Sequence, residues 1–184
     1  EMAKNKTGKK KIVVASILAA LAMQAGVVAD VSADESTLTL GGGKAANGMT
    51  NGVSIGYLAE SNSHQSIAIG YQALATSQYA DPAQPAVAIG AGAKAPGRGG
   101  VSLGLDAKSS VRGTAIGSST RATGFGAFAG GTYAQATNGG DVAIGGASSN
   151  RFDDYAVASG GYSVAIGTAA KAEQSGAVSI GYKT

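Results

Sequence analysis

Triplets in which a small residue lies between two branched apolar residues recur along most of the chain. The first three are VSI at 53–55, IAI at 67–69 and VAI at 87–89. Because successive side chains of a strand point to opposite faces, each triplet predicts a very short β-strand with a branched face and a small-residue face. FAG at 128–130 departs from this pattern. A glycine directly follows each triplet. These repeat glycines are Gly56, Gly70, Gly90, Gly104, Gly117, Gly131, Gly145, Gly167 and Gly181.

The spacing of these glycines defines a repeat. Successive glycines are 13 or 14 residues apart, except for two longer steps of 20 and 22 residues. A second alternation follows most of them, with small residues such as Ala93 and Ala95 on one face and a larger residue, here Lys94, on the other. Two three-residue strands and their turns within one such repeat predict one coil of a parallel β-solenoid, stacked about 4.8 Å from the next coil. We expect an all-β roll of about nine coils.

The larger residues of the second alternation form a stripe that we expect to face water. Leu74, Gln135 and Ser149 interrupt it. One interpretation is an electrostatic strip for anionic matrix or glycans, and the other is a charged face that keeps the solenoid soluble and blocks strand pairing. The basic members of the stripe are Lys94, Lys108, Arg121 and Lys171.

Composition favours association between copies of the chain. Gly is 30 of 184 residues, and there is no Cys or Trp. An interior lined by small residues is too narrow to offset the entropy cost of ordering one coil. We therefore expect each coil to be completed by further copies, with the small-residue face permitting close approach. The pattern alone leaves open which face lines the roll and which forms the subunit contact.

The first 33 residues differ from the rest. Five lysines precede an apolar run at 12–28 that contains Gln24 and Gly26, and small residues follow it. This pattern predicts a secretory signal peptide at 1–33, cleaved after Ala29 or Ala33, in preference to a transmembrane anchor. Cleavage would leave the mature chain about neutral, so the formal charge of +3 does not indicate nucleic-acid binding. We assign 34–52 to a lead-in segment and 53–184 to the repeats.

The repeat units resemble those of a known family. SIAIGYQALA, AVAIGAGAKA, GTAIGSSTRA and SVAIGTAAKA are similar to the SVAIG-x-x-[S/A]-x-A repeats of the YadA-like head of trimeric autotransporter adhesins. The resemblance implies a left-handed parallel β-roll that forms a homotrimer on a coiled-coil stalk, above a β-barrel anchored in the outer membrane of Gram-negative bacteria. It also implies attachment to host extracellular matrix or cell-surface receptors, and autoaggregation.

Two departures limit what the resemblance implies. The Asn that often opens the family repeat is mostly absent, with Ser66, Gly100, Gly113 or Asp141 near that position, so a collagen preference linked to that Asn is not carried over. No heptads or barrel strands follow the last repeat. We expect the stalk and the anchor to lie outside this sequence.

Little in the chain indicates catalysis. His64 is the only histidine and lies in a polar, turn-like segment, so no nucleophile, base and acid can be combined. Gly41-Gly42-Gly43-Lys44 lacks the spacing and the Ser or Thr of a phosphate-binding loop. We therefore predict no enzyme activity, no cofactor and no metal site.

Two insertions are the best candidates for receptor recognition, because insertions in solenoids are commonly loops on one face. Residues 77–85 contain Tyr79, and the insertion at about 148–162 contains RFDDY at 151–155. Aromatic and Arg side chains are typical anchors of interfaces, although Phe152 and Tyr155 are also suited to cover the edge of a coil. Residues 157–160 (VASG) are interpreted as a decayed repeat. The candidate receptor-binding residues are Tyr79, Arg151, Phe152, Asp153, Asp154 and Tyr155.

The favoured function is a non-catalytic, trimeric adhesin head displayed on the bacterial surface, with avidity from many weak contacts. The alternative is a structural spacer within a surface fibre whose recognition domain lies elsewhere. A solenoid enzyme or ice-binding rod is disfavoured, since neither acidic clusters nor Thr arrays recur with the repeat.

Overall fold

The computed structural model describes residues 37–45, 51–76, 85–147 and 154–184, which contain nineteen short β-strands. The predicted signal peptide lies outside the described residues. In chain order the strands are β1 (Leu38–Leu40), β2 (Lys44–Ala45), β3 (Val53–Ile55), β4 (Glu60–Ser61), β5 (Ile67–Ile69), β6 (Leu74–Ala75), β7 (Val87–Ile89), β8 (Lys94–Ala95), β9 (Val101–Leu103), β10 (Lys108–Ser109), β11 (Thr114–Ile116), β12 (Arg121–Ala122), β13 (Phe128–Gly130), β14 (Gln135–Ala136), β15 (Val142–Ile144), β16 (Val157–Ala158), β17 (Val164–Ile166), β18 (Lys171–Ala172) and β19 (Val178–Ile180).

The strands form two parallel sheets, as expected for a β-solenoid of about nine coils. The odd-numbered strands make a ten-stranded sheet, and the even-numbered strands make a nine-stranded sheet. Each coil contributes one strand to each sheet. Equivalent residues of successive coils lie in register, so that Ala115 is paired with Ser102 on one side and Ala129 on the other.

Two details differ from the sequence-based expectation. Strands of the second sheet are two residues long rather than three. In addition, β1 and β2 form a coil inside the segment assigned as a lead-in, because Leu38–Leu40 has the same alternation as later repeats and pairs with β3. The glycines of Gly41-Gly42-Gly43-Lys44 form the corner of this coil, and Lys44 opens β2.

The interior between the sheets is one small side chain thick. Every buried hydrophobic residue in the described ranges is an alanine. Two serines that replace alanine in the ten-stranded sheet reach the backbone of the opposite sheet: Ser54 Oγ donates to the carbonyl oxygen of Lys44 at 2.7 Å, and Ser102 Oγ donates to that of Lys94 at 2.7 Å. Sheets that face each other across larger side chains are about 10 Å apart, so this roll is unusually thin.

This geometry decides which strand face lines the roll. The central residue of every strand of the ten-stranded sheet except β19 is buried between the sheets, while its neighbours, branched in all strands but β13, point outward. In β1 the central residue is Thr39, which is also buried, and in β19 Ser179 is half-buried. The small-residue face therefore allows the close approach of the chain's own second sheet, and of the two faces that the pattern left open it is the one that lines the roll.

A column of stacked glycines forms the corner between the first and the second sheet. Gly104 has φ +132°, and a Cβ on it would lie 2.5 Å from the carbonyl oxygen of Gly117 in the next coil. A side chain at this position would therefore collide with backbone atoms that cannot move independently of the ladder. This contact explains why a glycine recurs once in each repeat.

The thickness of the interior can be tested with two adjacent substitutions in β11. Ala115→Val adds two methyl groups between the sheets and is expected to destabilise the protein by about 1–3 kcal/mol through overpacking. Thr114→Val introduces the same residue on the outward face and is expected to be neutral or slightly stabilising. Urea denaturation at one fixed protein concentration measures both variants. Equal stability of the two would contradict the assignment of the faces.

Candidate functional site

The outer face of the nine-stranded sheet carries the predicted basic stripe. Lys94, Lys108 and Arg121 are exposed and occupy in-register positions of three adjacent strands. Lys171 is exposed in the same column but is separated from Arg121 by Gln135 and Val157. The stripe therefore faces outward as predicted, with Val157 rather than Ser149 at its third interruption. Residues 157–158 form β16, a second-sheet strand, and not a decayed first-sheet repeat.

A groove with a volume of about 360 Å³ lies where this face meets the glycine corner. Gly92 stands in a column that carries Leu58, Gln72 and Asp106 in neighbouring coils, and the carboxylate of Asp106 lies next to it. Glu60, Leu74 and Lys94 complete most of its walls. The lining thus combines two carboxylates, one ammonium group and an apolar floor.

The two insertions leave the roll at opposite edges. Residues 77–84 connect β6 of the second sheet to β7 of the first, whereas residues 148–153 connect β15 of the first sheet to β16 of the second. The expectation that both loops lie on one face was therefore wrong. The repeat has two corners, and the sequence spacing does not reveal which corner has been lengthened. Tyr79, Arg151, Phe152 and Asp153 lie outside the described residues.

Tyr155 and Asp154 are both half-buried beside the second insertion. The hydroxyl of Tyr155 accepts a hydrogen bond from Nε2 of Gln135 at 3.0 Å, and its ring lies 6.3 Å from that of Tyr133. This packing corresponds to the alternative in which Tyr155 covers a coil edge. The pKa of Lys183 is raised, first by its hydrogen bond with Tyr182 and the charge of that residue, and then by the carboxylate of Asp154.

A buried carboxylate anchors the coil that contains the second insertion. Asp141 is fully buried, and its Oδ1 accepts hydrogen bonds from the backbone N–H of Ser163 at 3.0 Å and from Ser163 Oγ at 2.8 Å. Its Oδ2 accepts from the backbone N–H of Asn138 at 2.9 Å. Asp141 immediately precedes β15 and Ser163 immediately precedes β17, so their contact joins the two ends of this coil at the corner opposite the insertion.

In the repeat pattern Asp141 stands only as a replacement for the family Asn, and the pattern gives no sign of this role. A pair of exposed tyrosines at the glycine corner was likewise not predicted. The rings of Tyr57 and Tyr71 stack with centroids 6.0 Å apart. The signal was present, since Tyr follows the closing glycine in two successive repeats.

His64 is half-buried in the corner between β4 and β5. Among the described residues there is no group of three or more His, Cys, Asp or Glu side chains placed to bind a metal ion. The same part of the chain contains no helix with the length and apolar character needed to cross a bilayer.

Comparisons with known proteins agree with this architecture. The family model described as the YadA head domain repeat matches residues 49–78, 83–107 and 158–184. The crystal structure of the collagen-binding domain of the Yersinia adhesin YadA is similar, with 28% sequence identity, a TM-score of 0.54, and coverage of 73% of this chain and 68% of that chain. A comparison with curated proteins gives no match.

The fold and the repeats together define a parallel β-roll of the kind found in bacterial adhesins. The chain contains YadA head domain repeats, and its fold is similar to that of a YadA head domain. These similarities support an adhesin-type role.

The anchoring role of Asp141 predicts a large effect of its removal. Asp141→Ala is expected to lower the free energy of unfolding by about 2–4 kcal/mol, because buried N–H and O–H donors lose their acceptor. It is also expected to accelerate proteolysis between residues 138 and 141, where its hydrogen bonds hold the corner, through local opening. Glu173→Ala, at an exposed position with ordinary backbone geometry, is the control and should change neither quantity. Denaturant titration and limited proteolysis measure them, and equal effects of the two variants would exclude the anchoring role.

Proposed function

We propose that the chain is the non-catalytic head of a homotrimeric adhesin, exported through a signal peptide and displayed on the outer surface of a Gram-negative bacterium. In this proposal it attaches the cell to host extracellular matrix or surface receptors, or to sister cells. The observation that carries the proposal is the outward apolar face of the ten-stranded sheet. The similarity to YadA head domains supports it.

That face exposes the larger aliphatic side chains of the protein. Ile89, Ile116 and Ile144 are 38%, 42% and 41% exposed in a single chain. They belong to two parallel columns of mainly branched residues that run the length of the sheet. A long apolar stripe on a flat sheet indicates an interface, and burial of this stripe supplies the hydrophobic stabilisation that an alanine interior lacks.

A trimer also fits the adhesive role. A closed ring of three copies would cover all three apolar faces around one axis and leave three nine-stranded sheets facing outward. Each trimer would then present every contact three times, and many trimers per cell would turn weak individual contacts into stable attachment.

The two insertions remain the proposed receptor contacts. Residues 77–84 hold Tyr79, and residues 148–153 hold Arg151 and Phe152, the residue types that anchor interfaces. Because they leave the roll at opposite edges, they would form two separate contact regions on each copy. The similar Yersinia domain is described as collagen-binding, which supports an extracellular matrix protein as the partner class.

The association is tested by placing a charge in the apolar face. Ile116→Asp is expected to convert the assembly to monomers, because a carboxylate buried among aliphatic side chains loses its hydration. Lys171→Asp introduces the same residue on the exposed second sheet and should leave the assembly intact. Light scattering coupled to size-exclusion chromatography measures the mass of each variant. A monomeric parent chain, or a trimeric Ile116→Asp variant, would contradict the proposal.

The adhesive role is tested with beads that carry the purified chain. Beads are applied to wells coated with collagen, fibronectin or laminin, and to beads carrying the same chain. We expect attachment in at least one of these assays, and roughly tenfold less attachment for the Ile116→Asp protein at equal loading, because multivalency is lost.

Two further results distinguish the alternatives. Loss of attachment in an Arg151→Ala, Phe152→Ala double variant, with Tyr57→Ala as an exposed control, would support the insertion as the contact. Absence of attachment in every assay, with a correctly assembled parent chain, would favour a spacer segment of a surface fibre.

A further inference from the structure

Positive charge is concentrated in the middle of the roll. Residues 85–127 contain five basic residues and one acidic residue, Asp106. The other described ranges contain three lysines and four acidic residues. A nearly neutral rod therefore carries a strongly basic band over about three coils. We define the basic band as Lys94, Arg98, Lys108, Arg112 and Arg121.

Three of these cations stand in one row along the roll axis. Lys108 pairs in register with Lys94 and with Arg121, so their Cα atoms follow the strand spacing of about 4.8 Å. Like charges at directly opposed positions of neighbouring strands are destabilising. The fold does not require this cost, because the same column accepts Leu74, Gln135 and Val157 in other coils.

Two arginines widen the row at the adjacent corner. Arg112 is exposed, and its guanidinium lies 5.5 Å from the centroid of the Phe125 ring. Its backbone N–H donates to the carbonyl oxygen of Arg98 at 2.8 Å, which stacks the two corners directly. The cation–π contact limits the motion of the Arg112 side chain and holds it beside the lysine row.

Solubility alone does not explain this arrangement. Charges that only prevent aggregation would be spread along the whole column. A mixture of positive and negative charges would also prevent aggregation better than charges of one sign. Here the charges occupy adjacent positions with one sign, on the open face of a sheet rather than at its edge. A patch of this kind focuses the field on an anionic partner.

We propose that the basic band binds a linear sulfated polysaccharide of the extracellular matrix, lying along the roll axis. This inference rests on the proposed adhesin function and names a ligand for a surface other than the insertions. The cations stand in a row along the roll axis, which fits an extended chain with regularly spaced anionic groups. Arg and Lys side chains bind sulfate as they bind phosphate, through charge-assisted hydrogen bonds.

Other polyanions fit this surface less well. Single-stranded nucleic acid needs a series of exposed aromatic rings on which successive bases stack, whereas residues 85–127 contain one aromatic residue, Phe125, which is exposed and contacts Arg112. A lipid surface needs an amphipathic element that inserts apolar side chains, and the row itself has none.

The test uses the full chain and a charge-matched pair of variants. Lys94→Gln, Lys108→Gln, Arg121→Gln removes three charges from the row. Lys44→Gln, Lys171→Gln, Lys183→Gln removes three exposed charges outside it and is the control. Circular dichroism and light scattering establish that both retain the fold and mass of the parent. The probes are heparin, chemically desulfated heparin and a single-stranded DNA of similar length.

We expect the row variant to bind heparin roughly tenfold more weakly than the parent at physiological ionic strength, with a reduced dependence on salt. The control variant should stay within about twofold of the parent. Desulfated heparin should bind the parent weakly. Three results would each overturn the proposal. They are an equal loss of heparin affinity in the two triple variants, tight binding of desulfated heparin to the parent, and DNA binding as tight as heparin binding.

Attachment to protein-coated wells separates this inference from the proposed function. A row variant that loses heparin but still attaches to matrix proteins supports both the polysaccharide site and a separate protein contact. A parent chain that attaches to matrix proteins but does not bind heparin overturns the polysaccharide site and leaves the adhesin role standing.

Discussion

The close approach of the two sheets is the constraint on which the rest of the structure depends. Ser54 and Ser102 each reach from one sheet to the opposite backbone with a single hydroxyl, so the interior has room for alanine or serine and little more. The largest fully buried side chains in the described ranges are Thr120 and Asp141. A chain folded in this way buries backbone hydrogen bonds efficiently but gains little from large apolar side chains.

The apolar residues are consequently on the outside. Val, Ile and Leu occupy the outward positions of the ten-stranded sheet, where a solitary chain leaves them partly in contact with water. This inverts the usual arrangement of a globular domain, in which the branched residues form the core. The two sheets therefore have different outer surfaces. The apolar face of the ten-stranded sheet is suited to subunit contact, and the largely polar face of the nine-stranded sheet is suited to external ligands. The corners connect the two and accept insertions without disturbing the ladder, as the in-register pairing of β15 with β17 across residues 148–153 illustrates.

Polar groups inside such a thin roll have exact positions. Asp141 would be costly if it lacked partners, yet it receives three hydrogen bonds from Asn138 and Ser163. These hydrogen bonds join the two ends of the coil that carries the longest insertion, at the corner opposite that insertion. The stacked glycines restrict the corner in a similar way. A side chain at Gly104, for example, would collide with the carbonyl oxygen of Gly117 in the next coil.

The sequence by itself determined the repeat, the parallel solenoid, the approximate number of coils and the water-facing side of the second strands. These properties are periodic, and periodicity of side-chain type follows directly from strand geometry. Only the tertiary structure decided that alanine lines the roll and isoleucine lies outside, because both faces of the first strand are apolar and alternation alone cannot order them. It also placed the insertions at opposite edges, added a coil at Leu38–Ala45, and replaced Ser149 by Val157 in the outer column. Each of these depends on which residues the chain brings into register after a loop of irregular length, and that is a property of packing rather than of spacing.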